Sequence, residues 1–159
     1  MHRDDEAVSP VIATVLLLSI TVLLTSMVFI MMSSTLDTVE KADPEASVSV
    51  RALSNGYHVI SITSIDQSLD PSKVEWSIIN QTVASEKEYT GFVDDSDVYG
   101  TVGSNISFHD RDAGWSVTKG DYFVVNCEQL KCNSGDHLFQ LIDRGSNTIL
   151  ATIKLPASN

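Results

Sequence analysis

The sequence predicts an α+β protein: a long N-terminal hydrophobic helix followed by a small antiparallel β-sandwich-like domain. Three observations carry this. Residues Ala7 to Leu36 form a run of thirty without one charged side chain. After Pro44 the apolar residues recur with period two, in short segments separated by turn residues. The charge is divided in the same way, with 18 acidic and 9 basic residues from Asp37 onward. So acidic a surface excludes nucleic acid as a partner, because phosphate neutralisation needs clustered Lys and Arg.

The apolar run comes first. Thirty helical residues span about 45 Å, more than the ~30 Å hydrocarbon core of a bilayer. The helix of a soluble domain would carry a polar face, which this run lacks. A secretory signal fits poorly, since its apolar region is about 7–15 residues with a basic flank, whereas here Asp4, Asp5 and Glu6 lead in. Ser9 is placed to cap the helix and Pro10 to occupy its first position, where a missing N–H costs nothing. No further proline or glycine intervenes before Pro44, so the helix is expected to run to about Ala42 and to stop at Asp43-Pro44. Ser19, Ser26 and Ser33 recur every seven residues and share one stripe. Such hydroxyls either bond back to their own helix or line a close-packing seam against other helices.

The stretch "EAVSPVIATVLLLSITVLL" resembles the N-terminal segment of archaeal type IV pilins, whose precursors carry a Ser-Pro-Val-Ile motif just inside a long apolar helix. Here that motif is Ser9-Pro10-Val11-Ile12, in register with Glu6-Ala7-Val8. The resemblance implies that a prepilin peptidase (class III signal peptidase) cuts between Ala7 and Val8. It implies a leader of residues 1–7, a transmembrane and filament-core helix of residues 8–42, and an extracellular β domain of residues 46–159. Ala13 stands where the family often has glycine. The helix contains no glycine at all, which favours an adhesion-type pilin over the related archaellins. Bacterial type IV pilins use a glutamate at the fifth mature position; here that position is Ile12, so assembly would rest on apolar contact and the serine stripe.

The strands are taken in order. "ASVSVRAL" and "YHVISITSI" flank Asn55-Gly56, a strong hairpin signal. Asp70-Pro71-Ser72 breaks the chain before "KVEWSII". Between Gln81 and Gly120 the pattern is ambiguous, with short strands expected around Val98–Val102 and Ile106–Phe108. "DYFVVNC", "HLFQLI" and "NTILATIKL" follow, the last two joined by a turn at Arg144-Gly145-Ser146. In the final strand Ile149, Ala151, Ile153 and Leu155 are expected on one face. Six to eight short strands with frequent turns indicate a sandwich.

Candidate sites are few. Cys127 and Cys132 are the only cysteines. Their spacing suits half a metal site, but His58, His109 and His137 supply no ligand spacing. In an outward-facing domain a local disulfide is the expectation, pinning a hairpin tip and contributing about 2 kcal/mol. Asp94, Asp95 and Asp97 suggest a calcium loop, yet Tyr99 and Ile106 stand where ligands belong, so a solvated acidic loop is expected. Asn80-Gln81-Thr82 and Asn105-Ile106-Ser107 are N-glycosylation sequons. No catalytic motif, cofactor loop or metal set emerges. The expected function is structural: a subunit cut by the peptidase, handled by pilus assembly machinery, and polymerised with itself into an adhesive surface filament after a membrane-inserted stage. The alternative is a single-pass membrane-anchored binding module that forms no filament, which would not need Glu6-Ala7-Val8 beside Ser9-Pro10.

Overall fold

The computed structural model describes residues 5–37, 43–83 and 86–158. The expected leader residues Arg3 and Asp4, and the expected helix end at 38–42, lie outside the described residues. The chain divides into two compact units, Met1–Ala42 and Asp43–Asn159.

In the first unit a single helix, α1, spans Asp5–Asp37, with Pro10 inside it. This corrects the expected start: Ser9 does not cap and Pro10 is not the first helical residue. The extension carries a local cost, because Pro10 has no N–H to offer the Glu6 carbonyl four residues back. From Val11 to Met32 the large apolar side chains are 51–73 % exposed on every side of the helix. Ser9–Ser34 is long and apolar enough to cross a membrane.

The second unit is a β-sandwich. Strands β1 (Ala46–Ala52), β2 (Tyr57–Ile65), β3 (Val74–Asn80), β4 (Glu86–Phe92), β5 (Ile106–His109), β6 (Tyr122–Asn126), β7 (His137–Asp143) and β8 (Thr148–Lys154) form two four-stranded sheets. Their orders are β1-β2-β6-β5 and β4-β3-β7-β8, with every named pair antiparallel. The period-two pattern explains the core. Ile60 and Ile62, Phe123 and Val125, Val74, Trp76 and Ile78, and Phe139 and Leu141 all point between the sheets. Phe108, Phe123 and Phe139 stack through the middle, with ring centroids 5.0 and 5.2 Å apart, and tie β5 and β6 to β7 of the other sheet.

The turns follow their residues. Gly56 N–H donates to Leu53 O across the first hairpin, and Gly56 holds φ +79°, a conformation that suits glycine. Asp70 accepts from the Ser72 N–H and caps a short 3₁₀ turn, Pro71–Lys73. Asp143 accepts from the N–H groups of Gly145 and Ser146 at the last hairpin.

Two expectations are corrected, and one strand, β4, lay unread in the ambiguous segment. Val98–Val102 is a turn with one bridge, Tyr99 to Phe108, rather than a strand. That bridge covers the free edge of β5, which would otherwise offer unpaired backbone. β4, "EKEYTGF", was hidden by its polarity. Gly91 lets Trp76 lie against it, since a Cβ there would sit 2.9 Å from the indole. In β8, Ala151 pairs Leu141 while Ile149 pairs Ile142, so Leu150 is an extra, bulged residue. The bulge buries Leu150 and turns Ile149 outward at 60 % exposure, which breaks the predicted single face.

Candidate functional site

The helix is the first candidate. Its hydroxyls look inward to their own backbone: Ser19 Oγ donates to Val15 O at 2.8 Å and Ser26 Oγ to Val22 O at 2.7 Å. Thr14, Thr21 and Thr25 do the same. With these donors satisfied, the Ser19 and Ser26 positions present short side chains that make no polar demand on a neighbour. Glu6, Ala7 and Val8 lie in the first turns of α1, immediately before the carbonyl ladder is interrupted by Pro10.

On the sandwich, Cys127 and Cys132 are joined in a disulfide with their Cα atoms 4.6 Å apart. It does not sit at a hairpin tip. It lies in the connection from β6 to β7, which crosses between the two sheets, and both half-cystines are fully buried in the core. Asn80 ends β3 and its Oδ1 accepts from the Thr82 N–H and Oγ at 3.0 and 2.7 Å. Asn105 is exposed ahead of β5, but Ser107 of the same sequon is 3 % exposed and its Oγ is bonded to His109.

The three domain histidines are spread apart. His58 is buried and contacts Pro156 O at 2.7 Å. His109 stacks on Tyr122. His137 reaches Glu88 Oε2 at 3.1 Å, with Ser134 Oγ at 3.4 Å on its other nitrogen. Glu88 is the bulged residue of β4, which aims it at His137 and ties the β6–β7 connection to that strand.

Two electrostatic clusters were not foreseen from the sequence. Glu75 lies on the outer face of its sheet yet is only 5 % exposed. Burial would raise its pKa, but hydrogen bonds from Arg144, Lys87 and Thr90 overcome this and hold it at about 2. A carboxyl whose pKa is depressed by folding stabilises the fold above its unfolded value, and that stabilisation is lost as pH falls through the folded value. The sandwich should therefore lose stability between about pH 4.5 and pH 2. Glu75→Gln should flatten that part of the curve in acid unfolding followed by circular dichroism.

The second cluster is Asp110, Asp112 and Asp121, whose carboxylate oxygens lie within 4.8 Å of one another. Asp121 is buried and accepts from the Arg111 and Thr118 N–H groups at 3.0 and 2.7 Å. Asp110 accepts from Tyr99 Oη at 2.6 Å. Burial and that bond push the Tyr99 phenol up to about 12. These bonds pin the loop over the β5 edge. The expected acidic loop nearby is also turn chemistry, for Asp95 accepts from the Phe92 N–H at 3.0 Å. Of the trio, Asp110 and Asp112 fell inside the ambiguous segment, and Asp121, nine residues on, stood at the head of a predicted strand.

Fold and surface together define a class: a protein with, among the described residues, one membrane-competent helix, apolar on every side, joined to a disulfide-bonded β-sandwich. The family model of the archaeal type IV pilin N-terminal domain matches residues 6–48. The match covers α1 and the entry to β1 and supports the archaeal type IV pilin family, a structural and non-enzymatic one. It starts at Glu6, the residue before Ala7 in the expected cleavage motif. The rest of the sandwich lies outside it, and no curated protein matches the chain.

Proposed function

We propose that this type IV pilin-like chain is the structural subunit of an archaeal surface filament used for adhesion. In this reading a prepilin peptidase removes residues 1–7, and the subunit then polymerises with other copies through α1, as a membrane-inserted precursor becomes an extracellular pilus. The observation that carries the proposal is the family match beginning at Glu6 together with a helix exposed on all sides. An apolar helix without a polar face needs either lipid or copies of itself around it. Pro10 adds a physical argument for the cut. In the uncut helix it leaves the Glu6 carbonyl without its partner, next to the scissile bond. After the cut it is the third residue, where the N–H has no intrahelical partner in any case. The test is to shear filaments from cells and identify their subunit by mass. Recovery of this chain only from the membrane fraction, with no filament lost on its deletion, would favour the anchored binding module.

The same reading makes both sequons candidates for glycosylation in a host that uses them. Transfer requires the hydroxyl residue as well as the asparagine to be accessible. Asn80 and Thr82 meet that condition on a turn, whereas Ser107 is buried. Glycopeptide mass spectrometry should find sugar on Asn80 and an unmodified Asn105 if attachment follows folding. Sugar on Asn105 would mean that attachment precedes formation of β5.

A further inference from the structure

The outer face of the β4-β3-β7-β8 sheet departs from the charge of the rest of the domain. Residues 43–159 hold 16 acidic and 8 basic residues. Two adjacent rows across this face hold no carboxylate. One is Lys87–Ile79–Leu138–Lys154, the other Thr90–Ser77–Gln140–Thr152. Beyond them Glu75 is already shared by Lys87 and Arg144, and Glu88, on the β4 bulge beside Lys87, is engaged by His137. Lys154 is exposed. Ile149, turned out by its bulge, adds an exposed apolar side chain to the same face.

The complement lies on the loops around β5. Between Val93 and Asp121 there are six aspartates against two basic residues. Asp95, Asp97 and Asp112 are exposed. On the same loops Trp115, three residues past Asp112, is 57 % exposed, one ring face stacked on Tyr99 at 4.1 Å and thereby held rigid, and Tyr99 itself follows Asp97 by two residues and donates to Asp110. A fixed aromatic anchor on acidic loops is the form of an interface centre, and sheet rows free of carboxylate with a lysine at each end of one row are the form of its counterpart.

We infer that these two patches meet between neighbouring copies of this chain, the acidic Trp115 loop of one sandwich seated on the Lys154 face of the next. The contact joins different surfaces, so it repeats from copy to copy instead of closing a dimer, and in a filament the repetition is an open helical array. It rests on the filament reading above and adds a second interface to the one made by α1. Facing charges of opposite sign also disfavour the face-to-face and loop-to-loop alternatives, since like charges would then oppose.

The experiment uses filaments assembled by the full chain. Lys154→Glu and Asp97→Lys, both at exposed positions, should each speed filament dissociation about tenfold in low salt, equivalent to about 1.4 kcal/mol. The difference from wild type should shrink in 1 M salt, where the Debye length is about 3 Å. The double charge swap should recover much of the stability. Single variants that dissociate at the wild-type rate, or a double variant no better than the worse single, would overturn the inference while leaving the filament reading intact. Absence of filaments from the wild-type chain would overturn both.

Discussion

Ala7→Leu should leave the protein in the membrane with its leader attached and no filament on the surface. The reason is steric and electrostatic together. A peptidase that reads a charged residue followed by a small one has no room for leucine at the bond. The retained Arg3-Asp4-Asp5-Glu6 group is costly to bring into hydrocarbon, or into a bundle of apolar helices. The precursor is then held with α1 in lipid. The expected effect is all or none: a shift of seven residues in the mass of the membrane protein, and loss of filaments by electron microscopy. Normal fibres on such cells would remove the basis for the cut.

The largest effect on the sandwich is expected at Phe123. Its ring lies between Phe108 and Phe139 at 5.0 and 5.2 Å and is fully buried. Truncation removes the aromatic contact that joins the sheets and leaves a cavity lined by Ile60, Val125 and the two remaining rings. Phe→Ala at such a site costs about 3–5 kcal/mol, a large part of the 5–15 kcal/mol typical of a whole domain. Thermal unfolding of the full chain in detergent, followed in the near ultraviolet, should show the midpoint lowered by about 10 °C or more. A shift of only a degree or two would mean that the aromatic stack is not the keystone of the core. By contrast, Lys154 and Asp97 stand outside this core, so their variants should fold with wild-type stability.

The sequence was informative where one physical signal dominates. Nothing but length and absence of charge is needed to place α1, and alternation alone locates β1, β2, β3, β6, β7 and β8. It was weakest where two signals compete. At the helix start, Ser9-Pro10 argued for a boundary, while the helical backbone runs on through it to Asp5. In β4, the polar "EKEYTGF" concealed a strand, because its inward contacts use Tyr89 and the space left by Gly91 instead of aliphatic residues. Ile149 was misplaced because a one-residue bulge reverses the faces on either side of it, and a bulge leaves no mark in an alternating pattern. The oxidising setting of an outward-facing domain indicated the disulfide, but not that it lies in a connection crossing between sheets rather than at a hairpin tip, which depends on β6 and β7 belonging to different layers. The Glu75 and Asp110–Asp121 clusters join residues far apart in the chain or lodged in irregular loops, and composition carries no trace of either.

The central claim is that α1 is released from its leader and reused for assembly. Its most direct test is the intact mass and N-terminal sequence of this chain in filaments sheared from the cell surface. The expected result is a mature subunit that begins at Val8 and continues Ser9-Pro10-Val11-Ile12. Filaments built from a chain that still carries Glu6 and Ala7 would contradict it.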